Sequence, residues 1–117
     1  MISALWNGVL GMQAFQKSAE VTANNIANVN TDGFKKCRAV IQEDKSGNPQ
    51  VAVDKVDLSG YKVREMTDEG PVDRELSNVD LAEETVDLIV EQRGFEGNVK
   101  TIQAADEVLG ALLDIKT

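Results

Sequence analysis

Residues 81–115 read LAEETVDLIVEQRGFEGNVKTIQAADEVLGALLDI. Leu81, Leu88, Phe95, Ile102 and Leu109 recur every seven residues, and such a heptad repeat lays a continuous apolar stripe on an α-helix. Val99 and Leu113 join that face, and Val86 and Ile89 widen it early. Asp80 stands where an N-cap belongs, and Glu83 three residues on completes a D-x-x-E capping box. The pattern predicts one helix from Leu81 to Ile115, about 50 Å long at 1.5 Å per residue. Gly94 and Gly97 interrupt it. Each costs about 1 kcal/mol against alanine in a helix, which points to a bend or a close contact with another helix. The plain alternative is tolerance inside a helix held by packing.

The other end of the chain supplies a partner. Ile2, Leu5, Val9, Met12, Gln16, Ala19, Ala23 and Ile26 step by three and four, and all but Gln16 are apolar. They predict a second helix over 2–27, about 40 Å long. Trp6, Leu10 and Phe15 lie off that seam, so the helix is apolar on more than one face and suits burial rather than solvent. Ala19, Ala23 and Ala27 leave room for a closely packed neighbour, and Gly8 and Gly11 each lower helix stability by about 1 kcal/mol. Two such helices pairing antiparallel as a coiled coil would bury both seams.

Asn24, Asn25, Asn28 and Asn30 follow. Asparagine competes for backbone hydrogen bonds and tolerates left-handed backbone, so this stretch is expected to cap the first helix. Thr31-Asp32-Gly33 then turns the chain, with Gly33 at positive φ and Phe34 anchoring the turn. Beyond it, 37–42 is apolar-rich with β-branched Val40 and Ile41, Ser46-Gly47-Asn48-Pro49 is a turn cluster, and Val51, Val53 and Val56 partly alternate. After Gly60, residues 61–66 alternate until Gly70-Pro71 closes the run. Two or three short antiparallel strands are expected. The fold class is α+β, mainly α: a helical core domain from 1–30 and 77–117, and a small β-rich middle over 31–76.

Composition narrows function. With 117 residues, one domain is the prior. Twelve basic against twenty acidic residues give a net charge of −8, which disfavours a phosphate-tracking nucleic-acid binder. No apolar run is long enough to insert in a bilayer, and the N-terminus lacks the pattern of a cleaved secretory signal. There is no His and only one cysteine, Cys37. The commonest general base and neutral metal ligand are therefore missing, and no internal disulfide or Cys-rich zinc site can form. Cys37 has no His to activate it. Glu83-Glu84, Asp106-Glu107 and Asp68-Glu69 are sequence neighbours, and helix neighbours do not face each other as an acid/base pair does. Asp44, Ser46, Asn48 and Gln50 only faintly echo a calcium loop. No catalytic residue, cofactor or metal site is expected. Lys35, Lys36 and Arg38 form a basic cluster, read either as contact with an acidic neighbouring subunit or as a solvated strand edge.

The stretch Ala23-Asn24-Asn25-Ile26-Ala27-Asn28-Val29-Asn30-Thr31-Asp32-Gly33-Phe34-Lys35 resembles the N-terminal signature of bacterial flagellar axial proteins, those of rod and hook. Ser77-Asn78-Val79-Asp80-Leu81-Ala82-Glu83-Glu84, Glu91-Gln92-Arg93 and Leu112-Leu113-Asp114-Ile115 resemble the family's terminal helix. Where relatives tend to carry Ala-Tyr-x-Ala, this chain has Gly94-Phe95-Glu96-Gly97, which bears on the straightness of that helix. The resemblance implies terminal helices paired as a coiled coil and an outward-facing middle. It also implies a non-enzymatic rod subunit of the basal body in the periplasm, exported through the flagellar type III apparatus without a cleaved signal. Its implied partners are other rod and axial subunits. The short middle makes a proximal-rod-like protein the nearest match. The rival readings are a non-polymerising helical adaptor or export chaperone and, more remotely, a small enzyme. Gene position beside other flagellar genes, or presence in basal bodies, separates them.

Overall fold

A computed structural model describes residues 2–116. Helix α1 spans Ile2–Ala27 and helix α2 spans Leu81–Lys116. Between them lie two antiparallel hairpins, β1 (Cys37–Glu43) with β2 (Pro49–Lys55) and β3 (Lys62–Thr67) with β4 (Gly70–Glu75). The register pairs Cys37 with Lys55 in the first and Lys62 with Glu75 in the second. The first hairpin lies along α1, whereas the second packs on neither helix. The molecule measures 83 × 26 × 15 Å with a radius of gyration of 21.2 Å. A compact chain of this length would have a radius of about 13 Å, so the molecule is elongated.

The middle has four strands where two or three were expected. Gly70-Pro71 does not close a strand but opens β4, since Gly70 at φ 119 ends the tight turn and Pro71 pairs with Met66 on an edge. A proline is tolerated on an edge strand, where no ladder donor is lost. In the first hairpin, Asp44 Oδ1 accepts from the backbone N–H groups of Ser46 (2.7 Å) and Asn48 (2.9 Å). Those bonds lower its pKa. Asp44 and Asn48 thus shape a turn, with Gly47 at φ 79.

Where the helices leave the middle, three chain segments cross. Asn78 ties them together: its Oδ1 accepts from the Lys36 N–H (2.7 Å), and its Nδ2 donates to the carbonyls of Val56 (2.9 Å) and Leu58 (3.0 Å). Glu75 accepts from Lys35 and from the Gly60 N–H, and these two donors hold its carboxyl below the usual range. A side chain at Gly60 would collide with the Leu76 carbonyl oxygen, so only glycine fits this crossing. Asp80 caps α2 through the N–H groups of Ala82 (3.0 Å) and Glu83 (3.3 Å). The expected return bond from Glu83 is not made, because its carboxylate pairs with Lys36 at 3.0 Å instead.

Candidate functional site

The two helices pack antiparallel along a seam in which only small or polar side chains are buried. On α1 these are Gly8, Gly11, Ala14, Ser18, Thr22 and Asn25. On α2, Glu84, Glu91 and Ala105 are buried and Asn98 is half-buried between them, each a heptad apart. Among the described residues, the buried hydrophobic ones are two alanines, Ala14 and Ala105.

The seam is built in layers. A Cβ on Gly8 would sit 2.7 Å from Ile102 Cγ1, and one on Gly11 would collide with the Asn98 amide. One on Gly94 would collide with the Phe15 ring. These three glycines are notches that let the helices close. Farther along, Glu91 Oε1 accepts from Ser18 Oγ (2.7 Å) and Thr22 Oγ1 (2.8 Å), while Glu91 Oε2 is buried without a partner. Asn25 Nδ2 donates to Glu84 Oε2 (3.1 Å). Burial pushes the Glu84 carboxyl up, with the Asn25 amide opposing.

Asn25, 2% exposed, does not cap α1 as expected. It bonds both backbone groups of Cys37, accepting from the N–H at 3.0 Å and donating to the carbonyl at 2.7 Å. A helix side chain thereby fixes the first residue of β1. The helix end is turned by Asn28, whose N–H reaches the carbonyls of Asn24 (3.2 Å) and Asn25 (3.1 Å) and whose Nδ2 donates to Asn24 O at 2.8 Å. Asn24 and Asn30 are exposed and Phe34 is half-buried. Gly33 has φ 70, so a β-branched residue there would add strain of about 1–3 kcal/mol.

The apolar seam expected on α1 is displaced. Its positions 5, 9, 12, 19 and 26 each lie one residue beyond the faces that pack, a rotation of about 100°. Within the chain Ile2 and Val9 are exposed, and Leu5, Met12 and Ile26 are only half-buried. On α2, Phe95, Ile102 and Leu109 are half-buried, but Leu81 and Leu88 are exposed. Leu88 and Phe95 border an open groove beside the seam, with Phe15, Gln16 and Ala19. The physical reason is that notches and hydrogen-bonding side chains take the inside, so the large apolar side chains turn outward. Ile2 (80% exposed), Trp6 (61%) and Val9 form one stripe of α1 at i, i+4, i+7. Val108, Leu112 and Ile115 (81%) form another on α2 at the same spacing, and Val86, Ile89 and Val90 add to its outer surface.

Of the basic cluster, Lys35 and Lys36 are paired within the chain, with Glu75 and Glu83. Arg38 is exposed on β1. A cleft of about 480 Å³ lies between α1, α2 and β1, lined by Ser18, Asn25, Cys37, Glu84 and Glu91 among others. Among the described residues no group of three or more His, Cys, Asp or Glu side chains is arranged to hold a metal ion. Nor is any helix long and apolar enough to cross a membrane.

An elongated helical hairpin with a polar seam, apolar outer faces and a β insertion defines the class of fold. Residues 5–35 match the family model described as flagella basal body rod protein, and residues 75–115 match that of flagellar basal body rod FlgEFG protein C-terminal. The chain belongs to this flagellar rod and hook family. It is 62% identical over 39 residues to the flagellar hook protein FlgE of Helicobacter mustelae, covering 33% of this chain and 9% of that protein. It is 49% identical over 43 residues to the flagellar basal-body rod protein FlgG of Bacillus subtilis, covering 37% of this chain and 16% of that protein. FlgE of Borreliella burgdorferi is 52% identical over 42 residues, covering 36% of this chain and 10% of its own length. The matched stretch thus spans well under a fifth of each of these relatives.

Proposed function

We propose that this chain is a non-enzymatic structural subunit of the flagellar axis, at the basal-body rod, that assembles by burying the outer faces of its terminal helices against other axial subunits. The observation that carries this is the inversion of polarity. Large apolar side chains such as Trp6, Ile89, Leu112 and Ile115 are exposed while Ser18, Thr22, Glu84 and Glu91 are buried. Contiguous apolar surface of this kind marks an interaction face. Each fully buried Leu or Ile would stabilise an assembly by roughly 1.5–3 kcal/mol. The short middle between the two matched ends suits a proximal-rod-like position, and family membership suits export through the flagellar type III apparatus and a periplasmic location.

Leu88→Asp and Leu112→Asp test this reading. Both side chains are exposed in the single subunit, so helicity and melting of the purified chain should change little, as for surface substitutions generally. Swimming and recovery of the protein in isolated basal bodies should both be lost, because each change would bury an unpaired charge in the assembly. Unimpaired motility and incorporation in both variants would refute these faces as the assembly surface. Absence of the wild-type protein from basal bodies would favour the adaptor or chaperone reading.

A further inference from the structure

We infer that Glu84 and Glu91 are the residues that select the register in which α1 and α2 pair. The outer apolar stripes cannot select it, since they lie off the seam. Within the seam the matches advance by seven on both helices: Asn25 with Glu84, Ser18 with Glu91, Gly11 with Asn98. A heptad repeat that regular permits a slip of one heptad, about 10 Å along the axis.

A slip of one heptad takes Phe15 off the Gly94 notch, to face Asp87 or Thr101, and it also moves the carboxylates away from their donors, which is the chemical part of the selection. Slipped one way, Glu91 stands opposite Gly11, which offers no side-chain donor, and Glu84 takes Ser18. Slipped the other way, Glu91 takes Asn25 and Glu84 passes beyond the end of α1 at Ala27. Only the native register gives both carboxylates their donors, two hydroxyls for Glu91 and one amide for Glu84. Two buried carboxylates that both find donors in one alignment, and one of which is stranded in each neighbouring alignment, specify alignment even where they add little stability. Lys36, across the cleft, is paired with Glu83 and acts on Glu84 only through its field, and the donors from α1 are all neutral.

The test is a distance measurement between spin labels at Gln13 and Gln103, both exposed, in a Cys37→Ser chain diluted with unlabelled protein. One narrow distance is expected. Glu84→Leu with Glu91→Leu makes the seam more apolar and leaves every glycine notch in place. We expect a second population displaced by up to about 10 Å, with helicity by circular dichroism retained. Glu84→Gln with Glu91→Gln keeps an acceptor oxygen at each site and should keep the single distance. A single, unchanged distance in the double leucine variant would overturn the inference, since packing alone would then hold the register. Should that variant not fold, the reciprocal exchange decides. Ser18→Glu alone should give a mixture, and Ser18→Glu with Glu91→Ser should restore one distance. A mixture that persists in the exchange overturns the inference.

Discussion

Between Gly8 and Phe15 the first helix meets the second through shape. Ile102, Asn98 and Phe15 fill notches left by Gly8, Gly11 and Gly94. Between Ser18 and Asn25 the same helix meets the same partner through hydrogen bonds to two buried carboxylates. Neither half buries a large aliphatic side chain. The shape half tolerates almost no added volume, since interiors are already close-packed. The polar half tolerates volume better than the loss of a donor, because an unpaired buried carboxylate is costly. Both halves leave the large apolar residues free for the outside.

The most direct way to break the shape half is Gly94→Val. Its Cβ would collide with the Phe15 ring, and overpacking costs about 1–3 kcal/mol. The unfolding free energy of the purified chain, read from a urea titration, should fall by an amount near the top of that range. Combining it with Phe15→Ala should recover part of the loss, because the ring no longer occupies the notch. Equal losses with and without the ring would mean that the contact is not the cause.

A smaller effect probes the polar half through pH. Burial raises the Glu84 carboxyl above its ordinary 4.5, so the folded chain keeps a proton that the unfolded chain has released. The sign follows from linkage. The contribution of Glu84 is most favourable at and below the unfolded value near 4.5 and declines as pH rises through the folded value. Glu75 runs the other way. Its carboxyl is held below 4.5, so its contribution is complete above that value and lost as pH falls through the lowered one. The two windows do not overlap. Between pH about 4.5 and neutrality, wild-type stability should decline in a component that Glu84→Gln removes. If Glu84→Gln retains the whole decline, the polar half is not its source.

Helix positions were legible in the sequence because the heptads of apolar residues are real. Leu81, Leu88, Phe95, Ile102 and Leu109 do lie along one side of α2, and the Asp80 cap stands at its start. What periodicity could not tell is which face turns inward, since an apolar stripe buried in the subunit and one saved for a neighbour look alike. The seam carried its own signal. Gly8, Gly11, Ser18, Thr22 and Asn25 share one face of α1, and Glu84, Glu91, Asn98 and Ala105 recur by sevens on α2. Small and hydrogen-bonding residues in register on two helices mark a close contact as surely as leucines do. The turn at Gly33 was legible because few residues adopt φ 70. The role of Asn25 was not, because its partners, Cys37 and Glu84, lie 12 and 59 residues away.

The smallest expected effect has the opposite sign and compares two glycines on one turn of α2. Gly94 is half-buried against Phe15, whereas Gly97 is exposed, with nothing within 4 Å of the position a Cβ would take. The backbone of α2 runs unbroken through both, so neither ends the helix. In the isolated chain, then, Gly97→Ala should meet no steric cost and should regain the glycine penalty, about 1 kcal/mol. That is a rise of a few degrees in melting temperature, while Gly94→Ala should lower it. A fall in stability for Gly97→Ala would show that residue 97 does not face open space. If the stabilised variant also enters basal bodies normally, Gly97 is simply tolerated in a helix held by its partner. If it is stabilised yet excluded, the methyl group has filled a notch that only a neighbouring subunit uses, and Gly97 would do between subunits what Gly94 does within one.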